Sequence, residues 1–353
     1  MPAIKSDLGL GEGELGLALL CGSAGLIVSQ PLAGALATRF GSRPVTGAGI
    51  VLYGGLAALP ALAPDLATFA AAFFALGAGS GILDVAMNTQ GALAEERHPR
   101  AIFGSFHAGF SFGAMAGAGL AGAAAALGVD AAANLVAVGA VAIAIGLPIT
   151  SWMLPAEVDA HGRGSGAHFA RPSGVLAVLG AIAFCSAMSE GAVGDWSAIL
   201  LAEWRGASEG LAAVGLAVFA AAMGFARLAA DPLRERLGAV RLVRLSALAA
   251  AVGIAVFVAP LSAAAGIAGF AVAGLGLASL FPMALLLGSR APGQSPAAGI
   301  AAVSTAGYAG FLAGPALIGL LAETISLPAG LALLLALMAA VALLAARAEP
   351  PAR

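Results

Sequence analysis

The chain has 353 residues, 61% of them hydrophobic and 10% charged, with a mean hydropathy of +1.00. Soluble domains carry about 25% charged residues, so the composition excludes a soluble globule and indicates an integral membrane protein. The net charge of -2 gives no footprint for nucleic acid, and Cys21 and Cys185, both inside apolar stretches, specify neither a disulfide framework nor a metal site.

The polar start, Met1 to Glu14, lacks the apolar core of a signal peptide. Apolar runs then follow at 15–36, 45–63, 66–93, 101–127, 131–154, 174–201, 210–230, 242–260, 263–288, 298–322 and 329–346. Each is long enough to cross roughly 30 Å of hydrocarbon. They read as helices, because the ten-residue alternation of a barrel strand is absent. Eleven spans place the chain ends on opposite faces. Of the sixteen Lys and Arg residues, only Lys5 and Arg205 fall on one face; the others, Arg227 among them, fall on the opposite one. The positive-inside rule makes that rich face cytoplasmic and puts the carboxyl end inside. Trp152 near one edge, and Trp196 and Trp204 near the other, suit interfacial anchoring. Fifty glycines in apolar sequence indicate close helix packing, since lipid gives helices no hydrophobic reason to associate.

Polar groups inside the third and fourth spans stand out. Asp84 and Asn88 lie one turn apart on one helix face, and His107 and Ser111 do the same on the next. Counted from the charged hinge 95–100 at about 1.5 Å per residue, Asn88 and His107 sit roughly 10 Å deep, and Asp84 and Ser111 roughly 16 Å deep. An antiparallel pair of spans would bring them together in two layers near the bilayer centre.

The longest polar break, 155–173, is rich in Gly, Ser and Pro and reads as a flexible cytoplasmic linker. It separates an N-terminal bundle, 1–154, from a C-terminal bundle, 174–353. The two resemble each other at a shift of 197 or 198 residues: Arg39-Phe40-Gly41 with Arg236-Leu237-Gly238, and Gly77-x-Gly79 with Gly274-x-Gly276. The same shift places the partner of span 174–201 before residue 1. A six-plus-six chain without its first helix is the expectation.

The stretch Gly34-Ala-Leu36-Ala-Thr38-Arg39-Phe40-Gly41-Ser-Arg43 resembles the loop between the second and third helices of the major facilitator superfamily, with Thr38 where that family usually has Asp. The echo Asp231-Pro-Leu233-Arg-Glu235-Arg236-Leu-Gly238 keeps the acid and the base. Further segments, Asp84-Val-Ala-Met87-Asn88-x-Gln90, Phe106-His107-x-x-Phe110-Ser111, Glu190-Gly191-x-x-x-Asp195-Trp196-Ser197 and Gly307-Tyr308-x-Gly310-Phe311-x-x-Gly314-Pro315, resemble a bacterial subgroup similar to the rhizopine-associated membrane protein and distantly to fucose permease. The resemblance implies an all-α membrane fold of two six-helix bundles, here with eleven transmembrane helices. It also implies that Asp84 is the counterpart of a proton-coupling acid on family helix four, and that Gly34, Arg39, Gly41, Arg43, Asp231 and Arg236 form the paired loop motifs that govern conformational change.

Each candidate has two readings. Asp84 is either a proton- or substrate-binding acid or a buried acid that holds two helices together. His107 is a titrating partner or a packed histidine. Asn88 lines a cavity or makes an interhelical hydrogen bond. Glu190 and Asp195, read as lying toward the outer end of their helix, gate or bind the solute or sit on an exposed rim. Tyr308 stacks on a sugar-like ring or packs in the core. Gly314-Pro315 marks a kink.

Enzyme readings fail on inventory: four histidines, most of them in loops, and no HExxH, GxSxG or phosphate-loop motif. The expectation is a secondary transporter in the bacterial inner membrane. It would move a small polar solute, sugar- or cyclitol-like, with protons, as a monomer and without cofactor or metal. An efflux carrier for drugs or metabolites, or a non-transporting scaffold or receptor, are the alternatives.

Overall fold

The computed structural model describes residues 8–9, 12–158 and 174–348. Most of the expected linker and of the amino-terminal tail lies outside them. Twelve α-helices account for the described chain: α1 (Glu12–Phe40), α2 (Ser42–Leu56), α3 (Leu66–Arg97), α4 (Phe103–Ala126), α5 (Ala131–Ile149), α6 (Val175–Arg205), α7 (Glu209–Leu237), α8 (Ala239–Val258), α9 (Ala263–Leu277), α10 (Leu280–Ser289), α11 (Pro296–Thr324) and α12 (Leu327–Leu344). No strand occurs among the described residues. Among the described residues ten stretches are long and apolar enough to cross a membrane, α9 and α10 forming one interrupted stretch, Ala263–Ser289. Helix α4, with 24 residues, coincides with the remaining expected span.

Sequence sets the helix ends. Asp130 accepts the N–H of Ala133 to cap α5, and Ser208, Ser262 and Ser326 cap α7, α9 and α12 in the same way. Gly41 joins α1 to α2 with φ 87° and ψ 151°, and Gly238 joins α7 to α8 with φ 78° and ψ 158°. A side chain would be strained at either position. The two glycines stand 197 residues apart in number, so the repeat inferred from sequence reappears as one backbone conformation used twice.

The helices group into two compact units. The first comprises Met1–Ala94, Gly113–Ala170 and Gly293–Thr305, and the second Glu95–Phe112, Arg171–Pro292 and Ala306–Arg353. In the first, α2 packs on α1 and α5, and Ala37, Val45, Ala86 and Ala297 share a buried core with Leu36 and Ile82. The glycine run on α3 works as the composition suggested. A Cβ on Gly77 would overlap the carbonyl of Gly22, and one on Gly79 would approach the Tyr53 backbone to 3.3 Å.

In the second unit α9 lies against α7 and α8, while α6 meets α7, α10 and α12. The Phe257 and Phe270 rings stack at 4.6 Å between α8 and α9. The break between α9 and α10 has a direct cause. Pro282, in the first turn of α10, carries no N–H, so the carbonyl of Ala278 four residues earlier loses the donor that a continuous helix would supply.

Candidate functional site

That orphaned carbonyl leads to a residue the sequence reading misplaced. Charge counting places Arg227 among the cytoplasmic-face basic residues. Helix α7 instead runs on to Leu237, so Arg227 stands about 15 Å inside its carboxyl end. It is 8% exposed. Its Nε donates to the Ala278 carbonyl at 3.3 Å, its Nη1 donates to Ser111 Oγ at 2.6 Å, and its Nη2 lies 3.6 Å from Glu190 Oε2. Four elements of the second unit therefore converge on one guanidinium: α7, the α9–α10 break, α4 and α6.

Glu190 also needs correction. It is the middle residue of α6 rather than an outer-end residue, and it is half-buried. Asp195 is exposed. His107, one turn before Ser111 on α4, is acted on electrostatically by Arg227 and packs its ring 5.2 Å from Phe103. Its buried Nε2 has no partner among the described residues. Tyr308 on α11 belongs to an aromatic cluster, 5.7 Å from the Phe281 ring and 6.1 Å from Phe311. Phe311 in turn lies against α6 at Gly191, where a Cβ would stand 2.9 Å from its ring.

Asp84 and Asn88 belong to the first unit. Asn88, 7% exposed, donates through Nδ2 to the Asp84 carbonyl at 2.9 Å and to Asp84 Oδ1 at 3.1 Å. Their one-turn spacing is thus a direct hydrogen bond. Gln90 on the same helix is structural: it bonds Ser42 Oγ at 2.7 Å and both the N–H and the carbonyl of Leu154. Gln30 on α1, fully buried and without a partner among the described residues, had no signal beyond its polarity in an apolar run.

The loop motifs resolve into helix-end chemistry. Asp231, 3% exposed, accepts the N–H groups of Gly104 and Ser105 at 2.8 and 2.7 Å and the Ser105 hydroxyl at 2.7 Å. Glu95 accepts the N–H groups of Ile102 and Phe103, takes a fork from Arg234, and meets Arg290 at 2.9 Å. Glu235 accepts the N–H of Ala101. Three carboxylates thus sit at the amino end of α4, where unpaired N–H groups and the helix dipole favour negative charge. In the first unit Thr38, standing where the superfamily usually has Asp, bonds Ser295 Oγ at 2.6 Å, and Ser295 caps α11 through the Ala298 N–H. Gly34 lets α1 approach α11: a Cβ there would sit 2.7 Å from that of Ala301. Arg39 lies over the Phe40 ring at 5.1 Å, Arg43 is half-buried and Arg236 is exposed.

The chain is 35% identical over 331 residues to an MFS-type transporter of Yersinia pestis, covering 93% of this chain and 84% of that one. The sequence model of the Major Facilitator Superfamily matches residues 1–177. The chain belongs to the major facilitator superfamily. As a member it is a multi-pass membrane transporter of a small molecule, and not an enzyme. It is also 29% identical to membrane protein MosC of Rhizobium meliloti over 95% of this chain and 82% of that one, in line with the subgroup resemblance read from the motifs. Among solved structures, the fucose:proton symporter FucP of E. coli superposes with a TM-score of 0.73 at 16% identity, covering 97% of this chain and 92% of that one. At that identity the likeness concerns the fold.

Proposed function

We propose that this major facilitator protein is a secondary transporter that carries a small polar solute, sugar- or cyclitol-like, across the cytoplasmic membrane by proton-coupled alternating access. The observation that carries the reading is the Glu190–Arg227 pair, two opposite charges in helix interiors at 3.6 Å. Ionisable groups inside membrane helices are costly and mark solute or proton pathways by default. The fold shared with a fucose:proton symporter supports the same reading.

In this proposal 1–154 and 174–353 are the two halves that alternate, with 155–173 as the cytoplasmic connection and the carboxyl end inside. Asp84 and His107 are the titratable candidates for coupling, Asn88, Ser111, Glu190, Asp195 and Tyr308 the candidates for solute contact. The carboxylates at the start of α4 are the contacts made and broken during the cycle. The transporter is expected to work as a monomer.

The test is uptake into proteoliposomes of purified protein. Labelled glucose or myo-inositol should accumulate when the outside is made acidic, and a protonophore should abolish the accumulation. Downhill equilibration without accumulation under the same gradient would refute proton coupling. No movement of either solute would refute the solute class.

A further inference from the structure

The Arg227 contacts contain more than a structural repair. Repairing the Ala278 carbonyl needs one donor, which an uncharged side chain would supply without bringing a guanidinium into the membrane. The structure uses an arginine whose five N–H groups exceed what that repair requires. Nε goes to Ala278 and Nη1 uses one N–H on Ser111. Nη2 faces Glu190 Oε2 at 3.6 Å, an ion-pair contact longer than a full hydrogen bond. Glu190 likewise keeps acceptor capacity. The side chains retain 10% and 24% of their surface exposure, so the pair has an accessible edge.

We propose that Arg227 and Glu190 form a charge-balanced clasp that selects uncharged, hydroxyl-rich solutes and rejects both acids and amines. The inference rests on the proposed solute class and assigns its selectivity to two residues. A hydroxyl group both donates and accepts, so adjacent hydroxyls take N–H donors from Arg227 while giving protons to the Glu190 carboxylate. A solute carboxylate on Arg227 would lie beside the Glu190 charge, and an ammonium on Glu190 would lie beside the guanidinium. Each repulsion acts in a partly desolvated setting where charge interactions are strong. Ser111 Oγ, which accepts from Nη1, continues the polar contacts onto α4. The Phe311 ring lies against α6 at Gly191, the residue that follows Glu190 in the chain.

Three probes of nearly one shape separate the alternatives: glucose, glucuronate and glucosamine. Their binding to purified protein in detergent is measured calorimetrically for the parent chain, Glu190→Gln and Arg227→Gln, with chromatographic monodispersity as the folding control. The parent should prefer glucose. Glu190→Gln, which is nearly isosteric, should improve the glucuronate-to-glucose affinity ratio at least about tenfold, the scale of one charge-assisted hydrogen bond. Arg227→Gln should move the glucosamine ratio in the same sense. If Arg227→Gln does not fold, the Glu190→Gln ratio alone decides. Unchanged ratios, or a parent chain that binds none of the three, would overturn the clasp. Proton-driven accumulation of glucose with unchanged ratios would overturn the clasp while the proposed transport function stood.

Discussion

Arg227 and Pro282 meet at one carbonyl. Proline at 282 withholds the N–H that Ala278 would accept in a continuous helix, and the Arg227 Nε provides one from 3.3 Å. The same guanidinium faces Glu190, so the broken α9–α10 stretch and the ion pair are mechanically one object.

The stability consequence is measurable. Removing one member of a buried ion pair leaves an uncompensated charge and costs about 3–5 kcal/mol, whereas replacing both by apolar residues is often near neutral. Arg227→Met alone should therefore lower stability by about 3 kcal/mol. Arg227→Met with Glu190→Met should recover at least about 1 kcal/mol of that loss, the residue reflecting the unpaired Ala278 carbonyl. Thermal unfolding of the four proteins in one detergent gives the cycle, and strict additivity of the single changes would show that the pair is not coupled.

Asp231 provides a second case, because both its oxygens accept hydrogen bonds at the start of α4. Asp231→Ala should cost about 1–2 kcal/mol as a lost helix cap, and more if Arg234, 3.9 Å away, is left without its second carboxylate. Asp231→Asn keeps an acceptor oxygen and should lose less. The ordering wild type, Asn, Ala in melting temperature is the check, and an Ala protein as stable as wild type would remove the capping role.

How much of this was legible beforehand differs residue by residue. The spans were readable because a bilayer demands long apolar runs, and the repeat was readable because Gly41 and Gly238 need the same positive φ. The shared helix face of Asp84 and Asn88 followed from their spacing, whereas the hydrogen bond between them is visible only in the structure. Arg227 did not, because charge counting treats an arginine near the end of an apolar run as a cytoplasmic anchor, and nothing local shows that α7 continues to Leu237. The available signal was remote in sequence: a proline inside the run 263–288 announces a carbonyl in need of a donor. Glu190 was assigned to the outer end of its helix because α6 extends beyond its apolar stretch to Arg205, whose guanidinium caps α8 through the carbonyls of Val258 and Ala259.

Glycine substitutions should separate packing from mere composition. A Cβ at Gly77 would overlap the Gly22 carbonyl, while one at Gly55 meets nothing within 4 Å among the described residues. Gly77→Ala should destabilise by about 1–3 kcal/mol through overpacking. Gly55→Ala should be neutral or stabilising by up to about 1 kcal/mol from helix propensity. Equal melting temperatures for the two variants would contradict the close α1–α3 approach.

Asp84 carries the sharpest functional prediction, because its geometry allows the charge to be removed without removing the contact. Asn88 donates to Asp84 Oδ1 at 3.1 Å and to the Asp84 carbonyl at 2.9 Å, and an asparagine at 84 still presents a carbonyl oxygen to the first bond and leaves the second intact. Asp84→Asn should therefore fold with a melting temperature close to the parent's. What it loses is a group able to gain and release a proton as its surroundings change in the cycle. If Asp84 is the coupling acid, solute exchange across proteoliposomes at equal pH should persist, while uphill accumulation driven by a proton gradient should fall at least about tenfold. Glu190→Gln in the same assay tests the rival: retained accumulation in Asp84→Asn with loss in Glu190→Gln would move the coupling site from α3 to the pair on α6 and α7.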